Sequence, residues 1–334
     1  MRIALDVMGS DQCPVPDVAG GVLAAKELGH KIYLVGDEQK IQVELQKHHT
    51  SGLPIEVVPA EQAIVPTDKP SQVGKGKPNS SMHVGMNLVR DGQADAFVTA
   101  GNTGAAHAIA TLFTLHRIPG IKRPALSGIF PVAGQHIVML DLGANADSKP
   151  DWLLQFGLMG GIYAQNALGL KNARVALLSN GEEEGKGNQL IRDADHLLRQ
   201  SNMNYIGNVE PKEIMRGEAD VIVADGFLGN IFVKTFESSV SLLVSTIREE
   251  AKVDLPSMLG GLLLKPAFQR VRKRTDTFEV GGAPLLGVNG VVIIGHGRSN
   301  AVAIKNAIRQ AALAVDGHVI DAIKDGLREV ADTA

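Results

Sequence analysis

Lys186 sits between Gly185 and Gly187 in the stretch GEEEGKGN, and Asn230 follows Gly229 in ADGFLGN. Flanking glycine lets the backbone come close to a ligand. Each residue also precedes a helix-like stretch, whose start offers unpaired N–H groups and the positive end of a dipole. A lysine and an amide placed this way can hold an anion and offset charge that develops on it. Lys186 is therefore the first catalytic candidate and Asn230 the second. The plainer roles for them are a solvated pair of Lys186 with Glu182, Glu183 or Glu184, and a helix cap at Asn230. Binding candidates of the same kind are Gly9 in DVMGSD, Asn102, Thr103 and Gly104 in TAGNTG, Asn145 in LGANAD, Gly187, Gly226, Gly229, and His296 in GHGRSN. Asp225 is a further candidate. A carboxylate repels an anion, so its expected task is to orient Lys186 or to cap a helix.

These residues need a scaffold that brings them together. Seven apolar runs read as strands: RIALDVMG, KIYLVGD, DAFVTAG, IVMLDLG, RVALLSNG, DVIVADG and VVIIGHG. Between them, 17–28, 82–91, 151–168, 187–200 and 299–315 carry apolar residues three and four apart, as helices do. Strands alternating with helices imply βαβ units and a mainly parallel sheet. Six of the strand endings are glycine-rich and polar, at 6–11, 99–104, 142–147, 179–188, 224–230 and 295–300. In an open parallel sheet the carboxyl ends share one edge, where ligands bind. The expectation is one shared crevice lined by these six loops. A further cationic loop, KGKPNSS at 75–81, places Lys75 and Lys77 before a serine N-cap at Ser80.

Bulk properties narrow the function. The chain has 334 residues, 44% of them hydrophobic, which is ample for a large core. A formal net charge of −3 argues against nucleic acid as a general partner. The one cysteine, Cys13, excludes a disulfide framework and a multi-cysteine metal site. Beside Pro14 it is expected to pack, not to react. The start MRIALDVMGS enters a strand at once, and no membrane-spanning run is expected, so the default is a cytosolic protein.

The motifs ALDVMGSD, PTDKP, NSSM, TAGNTGA, GIKRPAL, LDLGANAD, LLSNGEEEGKGN, YIGNVE, DVIVADGFLGNIFVKT and GGAPLLGVNGVVIIGHGRSNA occur in order over nearly the whole chain. Together they resemble the phosphate acyltransferases of bacterial phospholipid synthesis. The resemblance implies transfer of a fatty acyl group from acyl carrier protein to inorganic phosphate, giving acyl phosphate, without cofactor or metal. It implies a three-layer α/β/α sandwich like isocitrate and isopropylmalate dehydrogenases, one enzyme domain over 1–334, and a homodimer. Two places depart from the family pattern: Ser10 stands where a second glycine is usual, and the loop before Ser80 has a thinner basic run. Phosphate is already anionic at neutral pH, so a nucleophile-generating triad is unnecessary and direct attack suffices. Three rival readings compete with this one. A metal-dependent dehydrogenase would need an acidic metal cluster, whereas Asp141, Asp147 and Asp225 are scattered over three loops. A coenzyme A-dependent phosphate acyltransferase is closer chemically and differs in its thioester. A non-enzymatic scaffold for lipid synthesis would have no use for Lys186 as a catalyst.

One segment lies outside that chemistry. Residues 236–280 are expected to form a helical projection. Within it, 256–274 combines the apolar Leu259, Leu263 and Leu264 with Lys265, Arg270, Arg272, Lys273 and Arg274. A greasy tip with a basic flank fits reversible binding to an anionic membrane, reception of the acidic carrier protein, or packing against a second copy. The resemblance favours peripheral membrane association beside the downstream membrane acyltransferase that consumes the product.

Overall fold

The computed structural model describes residues 1–132, 134–275 and 281–332. All seven expected strands are present: β1 (Arg2–Asp6), β2 (Lys31–Gly36), β4 (Ala96–Thr99), β6 (Gln135–Leu140), β7 (Val175–Leu178), β9 (Val221–Val223) and β11 (Val291–Ile294). Four more join them: β3 (Ile55–Pro59), β5 (Ala125–Val132), β8 (Tyr205–Val209) and β10 (Ala283–Leu286). They form one sheet in the order β3-β2-β1-β4-β11-β10-β5-β6-β9-β7-β8. Most pairings are parallel, but β11–β10, β10–β5 and β5–β6 are antiparallel. Three reversals leave β6, β9, β7 and β8 running opposite to β1, β2, β3, β4 and β11. The sheet is therefore two parallel blocks of opposite sense.

This corrects the expected single edge. Loops 6–11, 99–104 and 295–300 follow β1, β4 and β11 of one block. Loops 142–147, 179–188 and 224–230 follow β6, β7 and β9 of the other. The six loops fall three and three.

Side chains alternate across each strand, and both faces are covered. Ile3, Leu5, Val98, Val138 and Leu140 share a core with α1 (Val15–Leu28), α6 (Pro150–Asn166) and α11 (Ala301–Asp316). Ala4, Phe97 and Val292 face α4 (Ser81–Arg90) and α5 (Thr103–Leu112) instead. Met139 and Ile222 face α8 (Pro211–Arg216) and the start of α9 (Gly226–Glu250). This is the three-layer α/β/α arrangement, with strands buried on both sides as parallel strands require.

Helices α9 and α10 (Leu255–Thr275) differ from the rest. In α9 only Gly226 and Gly229 are buried. Leu259, Leu263 and Leu264 on α10 are exposed, Leu263 by 81%. Lys265 and Arg270 are exposed beside them. The side chains of Arg272, Lys273 and Arg274, and residues 276–280 of the expected projection, lie outside the described residues. By length and composition α9 is long and apolar enough to cross a membrane, which the sequence did not lead us to expect. Its first turns are nonetheless packed onto the 141–145 backbone and the core beside it.

Candidate active site

A cavity of about 510 Å³ lies where the two blocks meet. One block supplies Thr103, Gly104, Gly295 and His296; the other supplies Leu142, Gly143, Ala144 and Asn230. Two loops from each set thus reach one crevice, although they end on strands of opposite sense; the 6–11 and 179–188 loops do not line it. Leu126, Ile129, Phe130 and Leu285 give it an apolar wall. Lys234, Glu237 and His107 complete the polar side.

The position of α9 sets this geometry. Asp225 caps the helix, its Oδ1 accepting from the Leu228 N–H at 2.7 Å. The capping role anticipated for Asp225 is the one it fills. Helix begins at Gly226, so 226–230 is a first helical turn and not a free loop, and Asn230 lies inside the helix rather than at its cap. Gly226 and Gly229 do not leave room for a ligand. A Cβ on Gly229 would stand 2.0 Å from the Asp141 carbonyl oxygen, and one on Gly226 would stand 2.6 Å from that of Asn145. Their bareness lets α9 press onto the 141–145 backbone. Gly143, at φ +132, lies against the Asn230 amide. Asn230, Lys234 and Glu237 follow one another at helical spacing and point the same way, into the cavity.

The 141–145 turn is held by a buried carboxylate. Asp141 accepts from the backbone N–H groups of Leu126, Gly143, Ala144 and Asn145 and from Asn145 Nδ2, at 2.7 to 3.3 Å. Burial pushes its carboxyl up from the ordinary range, and these donors oppose that rise. Asn145 gives its other amide hydrogen to the Pro124 carbonyl at 2.8 Å. Both hydrogens are spent, so Asn145 braces the turn and offers no donor to a ligand.

Asn102 is likewise structural. Its Oδ1 caps α5 at Ala105, and its Nδ2 reaches the Pro66 and Asp68 carbonyls. Its neighbours Thr103 and Gly104 do line the cavity. Gly9 lies beneath that loop: a Cβ there would stand 2.8 Å from the Gly101 N. Ser10, at the departure from the family pattern, turns its hydroxyl onto buried Asp17.

Lys186 and Gly187 sit on the β7 loop, outside the cavity lining, with Lys186 exposed. The anticipated partner Glu182 pairs with Lys212 at 2.8 Å, and Lys212 also bridges Glu210 and Glu213. That acidic cluster therefore already holds a cation of its own. Lys77 is held by Asp68, which removes it from ligand binding. Ser80 caps α4 as expected. Cys13 packs half-buried against the core.

His107, Lys234 and Glu237 were not expected. His107 stands on α5, and Lys234 and Glu237 on α9, where the one available signal was the polar stripe at 230, 234 and 237, the complement of the apolar spacing of Phe232, Phe236 and Val240. His296 is exposed at the cavity, and partial desolvation by the surrounding loops holds its imidazole below the ordinary value; Glu237 opposes this and Arg298 adds to it. Burial, then the charge of Arg123, lowers His107 in the same way. A neutral imidazole offers one N–H, and on half-buried His107 the Nε2 has no hydrogen-bond partner. The cavity thus combines single hydrogen-bond donors and one cation with a wall fit for an alkyl chain.

This fold is that of the phosphotransacetylases. The chain superposes on a phosphotransacetylase from Streptococcus pyogenes with a TM-score of 0.61 at 16% identity, covering 96% of this chain and 94% of that one. A branched-chain phosphotransacylase from Enterococcus faecalis V583 gives 0.58 at 14% identity, covering 94% and 99%. A 4-hydroxythreonine-4-phosphate dehydrogenase from Klebsiella pneumoniae gives 0.52 at 14%, covering 96% and 99%. Sequence relatives are nearer. A phosphate acyltransferase of Dictyoglomus turgidum is 46% identical over 334 residues, 99% of each chain, and one of Trichlorobacter lovleyi is 45% identical over 309 residues, 92% of this chain and 89% of that one. The family model described as "Fatty acid synthesis protein" matches residues 1–322. The chain belongs to this family of phosphate acyltransferases and is an acyltransferase.

Proposed function

We propose that the chain transfers a fatty acyl group from the thioester of acyl carrier protein to inorganic phosphate, releasing acyl phosphate for phospholipid synthesis. The observation that carries this reading is the two-sided cavity, apolar along Leu126, Ile129 and Phe130 and polar along Thr103, Asn230, Lys234 and His296. A long alkyl chain fits the first side and two anions in succession fit the second.

A phosphate oxygen attacks the thioester carbonyl carbon, the carbonyl becomes an oxyanion, and the C–S bond breaks to release thiolate. No serine or cysteine is among the cavity's described lining residues, which suits direct attack without an acyl-enzyme. Asn230 is assigned to the developing oxyanion or the phosphate, where one donor is worth about 3–4 kcal/mol. Holding both reactants supplies a further ~7–11 kcal/mol. Lys234 provides positive charge from the wall. Lys186, which has no carboxylate partner among the described residues, provides it from the neighbouring loop. Thr103 and His296 complete the donors. The enzyme works as a cytoplasmic homodimer and meets anionic membrane through 256–274, close to the acyltransferase that uses its product.

The test is phosphate-dependent release of carrier-protein thiol from a long-chain acyl thioester. Release that does not depend on phosphate would sink the proposal. The phosphotransacetylase fold favours one second reading, a coenzyme A thioester as donor. Comparison of kcat/KM for the two thioesters separates them.

A further inference from the structure

Between Asp95 and Asp141 the chain contains no carboxylate side chain, although its net charge is negative. This segment carries His116, Arg117, Lys122 and Arg123, all exposed. Lys149, from the turn that follows β6, joins them: Arg123 and Lys149 both sit over the single tryptophan, Trp152, at 5.0 and 5.9 Å from its ring centre. The ring face holds two cations in place without cancelling their charge. Arg117 is fixed differently, its guanidinium donating to the Lys122 carbonyl at 2.6 Å. None of the four Lys and Arg pairs with a carboxylate among the described residues.

The patch adjoins the cavity. The turn that supplies Gly143 and Ala144 to the cavity is tied to the cationic segment by the Asn145–Pro124 hydrogen bond. Arg123 is near enough to act on His107, a cavity residue. A shallow depression of about 360 Å³, bounded by Leu112, His116, Arg117 and Ile121, lies in the same surface. Leu112 is its one large exposed apolar side chain. Lipid binding needs apolar residues to bury, as on α10, and this surface lacks them.

We infer that this preorganised basic rim, formed by Arg117, Lys122, Arg123 and Lys149, is where the acidic face of the acyl-carrying protein docks to deliver its thioester into the adjacent cavity. This rests on the reading of the donor given above. Cations beside the cavity, three of them held in place, steer and orient an acidic partner. The shallow depression receives one side chain from it. The α10 cations are then free for the membrane.

The test uses the full chain with Arg117→Glu/Lys122→Glu. Both side chains are exposed, and an unchanged melting curve verifies the fold. Binding of carrier protein without an acyl group is titrated at low and high salt. Turnover is followed separately with phosphate and a small acyl thioester of N-acetylcysteamine. The expected result is about a tenfold or greater loss of carrier binding, and of its salt dependence, with small-thioester turnover unchanged. Equal binding by variant and wild type overturns the inference. So does loss of binding only in Lys265→Glu/Arg270→Glu, which would place the carrier on α10. Loss of binding to phosphatidylglycerol vesicles by the rim variant, with carrier binding intact, makes the rim a lipid site and overturns it too. Absence of any phosphate-dependent turnover in the wild type would count against the proposed reaction, while the binding arm still decides the rim.

Discussion

Asp17 and Asn230 show how differently two polar residues near strand-end loops are used. Asp17 is fully buried, accepts from the Ser10 hydroxyl and leaves its other oxygen without a partner. Burial pushes its carboxyl from the ordinary 3.8 up to about 8. The folded pKa lies above the unfolded one, so the folded state keeps a proton that the unfolded chain loses. The contribution of Asp17 to stability is therefore fully present below pH 3.8, is lost as pH rises toward about 8, and changes no further above that. Asp17→Asn removes the charge and should flatten this fall, raising stability near pH 8 by a few kcal/mol at most, on the order of 1 kcal/mol per pH unit. Melting curves from pH 4 to 9 check it; parallel profiles for variant and wild type would refute the assignment. Asn230 has a partly exposed amide aimed at the cavity. Asn230→Ala should lose about a hundredfold or more in kcat with little change in melting temperature, as expected of a transition-state donor. The two lysines are separated in the same way. Lys186→Ala is expected to cut turnover in a folded protein; normal turnover there with loss in Lys234→Ala would assign the charge to the cavity wall alone.

At the scale of elements, the junction of α9 with the 141–145 turn decides whether a cavity exists. Gly229→Ala would drive a methyl group into the Asp141 carbonyl. Backbone cannot rotate away as a side chain can, so the helix must lift. We expect a loss on the order of 3 kcal/mol, read by chemical denaturation, and a fall in turnover from displaced Asn230. A variant as stable as wild type would show that the contact is looser than its geometry. This junction also marks the limit of what the sequence discloses. Strands with unbroken apolar runs, such as Val291–Ile294, were legible, as were helices with regular spacing. The β5 and β10 strands were not, because Gly128 and Pro131 interrupt one and Pro284 the other. Those are the strands that reverse the sheet. Missing them turned two opposed blocks into one imagined edge. Glycines at strand ends were legible as close-approach positions, but not what approaches: at Gly226 and Gly229 it is the protein's own backbone. Asn102 and Asn145 looked like free donors because their acceptors, the Pro66, Asp68 and Pro124 carbonyls, are remote in sequence.

For the molecule as a whole, the exposed leucines of α9 and α10 call for a cover. Leu242 and Leu243 on α9 and Leu259, Leu262 and Leu263 on α10 are each more than half exposed. A patch of this kind is rarely left to water. Each leucine side chain gains about 1.5–3 kcal/mol on burial, so a few of them suffice for reversible attachment to a bilayer or to a second copy. Membrane attachment draws on Lys265 and Arg270 as well, and should weaken with salt; a dimer interface built from leucine should not. Crossing the bilayer is excluded for α9 by its first turns, since Asn230, Lys234 and Glu237 face the cavity and Gly229 is locked on Asp141. Leu263, at 81% exposure, is the most informative position. Its substitution by glutamate leaves the core untouched and places a charge at the tip. The wild type should float with phosphatidylglycerol vesicles at low salt and detach as salt rises. Leu263→Glu should stay in solution with its oligomeric mass unchanged by light scattering. If the variant instead falls to monomers, and neither protein floats, the tip belongs to the subunit interface and peripheral membrane binding is wrong.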